Sequence, residues 1–261
     1  MLRAIWQYRH FLSSSIYREL AAQFVRSKLG GLWLILHPLA QVAIYALILS
    51  QVLSARLPEL SNQYAYAIYL TAGLLAWNLF AEILNRTVNV FVSNGHLMKQ
   101  VHFPRVTLPA IVLGSCGLNN LLLLLAILSI FLVLGHEFTL ALLWLPILML
   151  LVASLAIGLG LILGILNVFI RDIGQVTPVV LQIMFWLTPI VYPISILPAH
   201  YLPWLSLSPM YHITLAYQKV LVYGQAPQWA DLQGAVIMAI VCATIGLFLF
   251  RRASPELVDA L

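Results

Sequence analysis

The sequence predicts an all-α integral membrane protein with six transmembrane helices, an N-terminal amphipathic helix at the membrane interface, and re-entrant helices on the outer side between spans five and six. Three observations carry that prediction. Of 261 residues, 62% are hydrophobic and 8% charged, with a mean hydropathy of +0.99, whereas water-soluble domains carry roughly a quarter charged residues. This composition cannot cover a folded surface with polar groups, so the solvent is lipid. Apolar runs of about 20 residues, enough to cross the hydrocarbon core, recur six times. Lys and Arg collect at one set of run ends, as the positive-inside rule requires of cytoplasmic segments.

The chain divides into an interface helix over 1–30 and a single membrane domain over 31–261. The first segment is not a signal peptide, because Arg3, Arg9, Arg18, Arg26 and Lys28 interrupt any apolar core. Tyr8, Leu12, Ile16, Leu20 and Phe24 recur every fourth residue, with Trp6 and Tyr17 beside them. That period suits a basic helix lying in the interface. The competing reading is a soluble helix packed on a partner.

Span one covers 32–54 and is entered through "KLGGLW". Spans two to six cover 68–92, 107–135, 141–169, 174–192 and 233–250, the last closed by Arg251 and Arg252. One side collects the basic residues of the N-terminus with Lys99, Arg105, Arg171, Arg251 and Arg252. The other collects Arg56 and Lys219 with Glu59, Glu137 and Asp231. The asymmetry places both termini in the cytoplasm. Arg171 and Asp172 form a tight cytoplasmic turn, since either charge at the bilayer centre would cost about 2.5–3.5 kcal/mol.

Pro189, Pro193, Pro198, Pro203 and Pro209 punctuate the outer end of span five and the segment after it. Proline lacks a backbone donor, so a continuous helix is excluded there. The stretch stays apolar and aromatic, which favours short broken helices dipping into the outer leaflet over an external loop with aromatic anchors.

Span two carries Asn78, Glu82, Asn85 and Asn89 on one face, with Thr71 in line and Arg86 four residues after Glu82. Span one carries His37, Gln41 and Tyr45 on one face, and span three offers Ser115 and Asn119. Polar groups at this depth either glue helices together or line a wet conduit. Two stripes on consecutive spans favour the conduit. Gly160 and Gly164 in span four form a small-xxx-small pair that marks close helix packing. Trp33, Tyr45, Trp77, Phe80, Phe185, Trp186, Tyr192 and Trp204 serve as interfacial belts or packing, and a few could stack on sugar rings. Trp186 and Tyr192 join the channel-lining candidates on that ground. Cys116 and Cys242 sit within apolar runs and read as small buried hydrophobes.

The chain contains no phosphate-binding loop, no H-E-x-x-H and no G-x-S-x-G, so it neither hydrolyses ATP nor offers a metal or nucleophile site. The net charge of +5 reads as membrane topology and not as nucleic-acid binding. The stretch "NGHLMKQVHFPRVTLP" is the largest basic segment between spans. It predicts a short amphipathic surface helix stopped by Pro104. Asn94, His96, Lys99, Gln100, His102 and Arg105 are its candidate contacts for a soluble, energy-supplying partner, against the plainer reading of a positive-inside anchor.

Four segments in this order, "RSKLGGLWLILHPLAQ", "LMKQVHFPRVTLP", "RDIGQVTPVVLQIMFWLTPIVYP" and "SPMYHITLAYQKVLVYG", resemble the membrane subunit of type-two ABC exporters for cell-surface polysaccharides, the permeases for O-antigen, capsule and teichoic acid. The resemblance covers nearly the whole chain. It implies a homodimer in the bacterial inner membrane, bound to two copies of an ATP-binding cassette subunit that carries the ATP and Mg. This chain itself would carry no cofactor and no metal. The implied substrate is a lipid-linked polysaccharide, foremost O-antigen on undecaprenyl pyrophosphate. Arg171 and Asp172 match the charged turn of that family, while Thr188-Pro189 stands where Ser-Pro is common. The rival readings are an exporter subunit for small hydrophobic compounds, a membrane-embedded glycosyl- or acyltransferase, and a structural scaffold.

Overall fold

The computed structural model describes residues 6–25, 65–100, 103–133 and 139–254, with positions 32, 33, 36 and 40. The body of predicted span one, with His37, Gln41 and Tyr45, lies outside the described residues, as does His102. Every regular element among the described residues is helical, as expected where no water is present to satisfy an open sheet edge. They are α1 (Arg9–Val25), α2 (Ala65–Ser93), α3 (Gly95–Gln100), α4 (Thr107–Val133), α5 (Trp144–Phe169), α6 (Asp172–Leu187), α7 (Leu202–Leu205), α8 (Pro209–Tyr223) and α9 (Trp229–Ala253). A 3-10 turn, Leu140–Leu143, leads into α5.

Among the described residues, four helices are long and apolar enough to cross a membrane: Tyr66–Ser93, Thr107–Val133, Leu140–Phe169 and Trp229–Ala253. They match predicted spans two, three, four and six. Predicted span five needs correction. Its helix stops at Leu187 after 16 residues, about 24 Å at 1.5 Å per residue, and not at 192. The cause is Pro189, which drives the preceding residue out of the helical region: Thr188 is extended, with φ −92° and ψ 136°.

α2 is the hub, with α4, α5, α6 and α8 all packed on it. Leu70, Ala72, Ala76, Ile83, Val88 and Phe91 are fully enclosed. Between α2 and α5 the close approach depends on Gly160 and Gly164. A Cβ on Gly160 would lie 2.6 Å from Thr87 Cβ, and one on Gly164 would lie 2.8 Å from the Thr87 carbonyl oxygen. The small-xxx-small reading of this pair therefore holds. α5 packs equally closely on α9 through Gly158 and Gly246, where a Cβ on Gly246 would lie 2.6 Å from the Gly158 carbonyl oxygen. Without a hydrophobic drive between helices in lipid, such small-residue seams supply the contact area that holds a bundle.

The break after α6 is held from the protein side. Tyr69 Oη donates to the carbonyls of Pro189 and Tyr192, each at 3.1 Å; Tyr66 Oη donates to Val191 O at 2.9 Å; Gln218 Nε2 donates to Pro189 O at 2.9 Å. Irregular backbone within a bundle survives only when its freed groups are paired in this way. Gln218 belongs to α8, a 15-residue helix of about 22 Å, too short to span and packed against α2, α5 and α9. Proline at its first position and Gly224 (φ 62°) past its end delimit it.

The helix ends sort into two sets. Phe91 stacks on Phe250 at 5.7 Å, and Arg105 Nη1 reaches Ser254 Oγ at 3.4 Å, so the ends of α2 and α9 and the start of α4 are neighbours. With them go Lys99, Arg171, Arg251 and Arg252. At the opposite end Thr139 Oγ1 donates to Gly224 O at 2.8 Å, and Lys219 lies 4.0 Å from Asp231.

Candidate functional site: a polar stripe on the central helix

From Ile68 to Phe91, every residue of α2 is buried except Asn78, Ala81, Glu82, Asn85, Arg86 and Asn89. The polar stripe predicted from spacing is thus the one uncovered line of an otherwise enclosed helix. A 3.6-residue period explains why these positions align. Burial of the other positions against neighbouring helices explains why α2 is apolar on its remaining faces.

The stripe residues do not share one environment. Arg86 Nη2 donates to Glu19 of α1, and its Nη1 lies 3.5 Å from Glu82 Oε1 and 3.5 Å from Cys116 Sγ. Asn85 Oδ1 is enclosed and has no hydrogen-bond partner among the described residues. Asn78 is half-buried. Asn89 belongs to a joint between three helices. Asn167 Nδ2 donates to Val88 O at 3.1 Å and lies 3.4 Å from Asn89 Oδ1, while the Gly174 amide donates to Asn167 Oδ1 at 2.9 Å. Asn89 is thus engaged in joining helices.

Asn167 escaped the sequence reading. It is 2% exposed and ties the end of α5 and the first turn of α6 to α2. The turn Arg171-Asp172 lies between them, both side chains exposed. A polar residue one turn before a charged turn was the available signal. Gly174 has no room for a side chain: a Cβ there would lie 2.8 Å from Asn89 Oδ1 and 3.0 Å from both polar atoms of Asn167. Gly174→Ala is expected to open the joint and leave a buried amide short of partners, lowering stability by about 1–3 kcal/mol. A fall in the thermal midpoint of the detergent-purified protein checks this; an unchanged midpoint contradicts it.

Asn120, next to the predicted Asn119, provides the polar link from α4 to α2, donating to Leu75 O at 3.1 Å. Asn119 and Ser115 are buried, away from any open face. Trp77, Phe80 and Phe185 form a ring cluster, with Trp77 5.7 Å from each of the other two, so these aromatics are packing. Trp186 is 53% exposed. Tyr192 is half-buried and donates to Trp186 O at 2.9 Å, which fastens the α6 break.

The surface helix predicted before Pro104 forms as α3. Met98 is buried, while His96, Leu97, Lys99 and Gln100 are exposed. Asn94 is turned back to Val90 O at 2.8 Å and Arg105 is turned to Ser254. Of the candidates for partner contact, His96, Lys99 and Gln100 are presented outward.

α1 does pack by its fourfold-periodic face. Leu12 is buried, Tyr8, Ile16 and Leu20 are half-buried, and Trp6 and Tyr17 are exposed. The surface it meets is α4 and the segment just before it: Phe11 is 6.5 Å from Phe103, and Ile16 fills the notch left by Gly114.

The sequence profile of the ABC-2 type transporter family matches residues 11–222. The chain is 26% identical to an O-antigen export system permease protein of Myxococcus xanthus over 264 residues, covering 100% of this chain and 99% of the relative. It is 24% identical to an O-antigen export system permease protein of Klebsiella pneumoniae, covering 94% and 92%. It is 24% identical to a polysialic acid transport protein of Escherichia coli, covering 93% of each.

Proposed function

The chain belongs to the ABC-2 type transporter family, and from that premise we propose that it is the transmembrane subunit of an ATP-driven exporter carrying a lipid-linked polysaccharide, foremost O-antigen on undecaprenyl pyrophosphate, across the bacterial inner membrane. Two relatives named for O-antigen export and one named for polysialic acid transport support that substrate class. The observation that carries the conduit is the coincidence on α2 of the uncovered line with the polar one. A purely apolar open face would favour small hydrophobic cargo instead.

In this reading two copies of the chain enclose the path, and the α2 stripe faces it together with His37, Gln41 and Tyr45 of span one. Six spans place both termini in the cytoplasm, with the basic helix ends inward. α8 is the re-entrant element, which dips from the outer surface against α2 and shapes the exit with the α6 break. Two ATP-binding subunits dock at the Asn94–Arg105 segment, through the outward residues of α3, and at the N-terminal helix α1. Nucleotide binding there shifts α3, and the covalently continuous α2 carries the shift to the stripe. The glycan moves by weak contacts repeated along Asn78, Glu82 and Asn85, because one tight site would stall a polymer.

Deleting the gene should leave undecaprenyl-linked glycan on the cytoplasmic side and remove surface polymer. Surface polymer at the normal level in the deleted strain overturns the reading. In the complemented strain, Asn78→Cys and Asn85→Cys should react with a membrane-impermeant maleimide in at least one nucleotide state. Protection of both in every state overturns the conduit.

A further inference from the structure

Three ionisable residues, one of them on a helix outside the membrane domain as the sequence divides it, meet where α1, α2 and α4 converge. Arg86 lies seven residues before the end of α2, about 10 Å along the axis. Its guanidinium has two carboxylate partners on two different elements: Glu19 of α1 through Nη2, and Glu82 of its own helix through Nη1 at 3.5 Å. Charges at such depth are retained for function more often than for stability, and their partner is the informative fact.

The rest of the α1 contact is shallow. Leu12 is its one buried hydrophobic among the described side chains. Phe11 meets Phe103 near the start of α4, and Ile16 meets Gly114 two turns into that helix. Contacts thus advance along both helices together, so α1 climbs beside α4 until Glu19 arrives at Arg86. Removing a carboxylate from a partly buried guanidinium can leave its charge without a partner. Here it does not, because Glu82 stands four residues away on the same helix face. Departure of Glu19 leaves Arg86 still paired and removes one negative charge from the foot of the polar stripe. A cation shared by two carboxylates here, and able to stay paired with one when the other leaves, supplies the kind of two-state element that coupling between distant parts requires.

We propose that Glu19, Arg86 and Glu82 form a latch: α1 is held on α2 and α4 while Arg86 is shared, and α1 moves away, leaving Arg86 to Glu82, during each transport cycle. The latch rests on the exporter reading and adds to it the route by which motion at the membrane surface reaches the stripe. Glu19 and Arg86 are positioning residues in this scheme and need not touch the glycan.

The test uses the full chain with its ATP-binding subunit in cell membranes, with Cys116→Ala and Cys242→Ala as the background. The pair Ile16→Cys and Gly114→Cys is oxidised with copper phenanthroline to fasten α1 to α4. Export should fall at least tenfold, within the range of ordinary coupling energies, and return on reduction. Unimpaired export by the fully cross-linked protein overturns the latch. The same measurement in the unoxidised background separates the two proposals, since absence of glycan export there would sink the exporter reading first. A charge swap gives the second arm. Glu19→Arg and Arg86→Glu should each lower export, and the double variant, which restores two acids around one base, should recover most of it. A double variant no better than the worse single overturns the direct pairing. Should the single variants fail to accumulate, the cross-link decides alone.

Discussion

Asn85→Leu is expected to leave the protein as stable as before, or more so, while lowering glycan export at least tenfold. The two effects part because of how Asn85 sits. Its Oδ1 is enclosed without a hydrogen-bond partner among the described residues. A buried acceptor left unpaired carries a desolvation penalty of about 1–3 kcal/mol that an apolar group of similar shape removes. Asn120 and Gln218, which link helices through Nδ2 and Nε2, also have buried oxygens without a partner among the described residues, so what sets Asn85 apart is its place on the uncovered line of α2. In the proposed conduit a sugar hydroxyl or water supplies the missing donor during transport. The measurement pairs the thermal midpoint in detergent with surface glycan in the complemented deletion strain. Loss of stability together with export would make Asn85 a structural residue and weaken the conduit. Asn89→Leu is the contrast: it opens the Asn167 joint, so stability and export should fall together.

At Gly158 the expectation is loss of the folded protein. A Cβ there would lie 2.5 Å from the backbone nitrogen of Ala243 and 2.6 Å from the carbonyl carbon of Cys242. The obstacle is main chain of α9, which cannot rotate away, so α5 and α9 must separate along their seam. Overpacking of a core that can partly yield costs about 1–3 kcal/mol; Gly158→Ala should lie at the top of that range, and Gly158→Val should prevent accumulation in the membrane. Gly117→Ala is the control, since nothing stands within 4 Å of a Cβ there, and a helical Gly-to-Ala change gains up to about 1 kcal/mol from propensity. Equal behaviour of Gly158→Ala and Gly117→Ala would show that the α5–α9 seam is wider than described.

The long helices were legible because lipid demands unbroken apolar runs of a set length. Four of the predicted spans coincide with described helices to within a few residues. The fifth helix is shorter than its apolar run, because composition continues apolar past Thr188 whereas conformation changes at Pro189. Apolar character says where a segment can be buried; it does not say that the segment stays helical. The stripe on α2 was equally legible, since its period is a property of one helix.

Partnerships between helices were not. Glu19 and Arg86 are separated by 67 positions, and nothing local to either announces the other. Asn167 reads as one more residue at a helix end until Gly174 and Asn89 close around it. The same holds for Tyr66 and Tyr69, whose hydroxyls hold a length of backbone more than a hundred residues away. Composition and period were enough for the solvent, the helices and the polar line on the central one, because each follows from a helix meeting lipid or water alone. Which polar groups on that line are joined to other parts of the protein was decided only by packing, because a hydrogen bond between helices depends on where the neighbour stands.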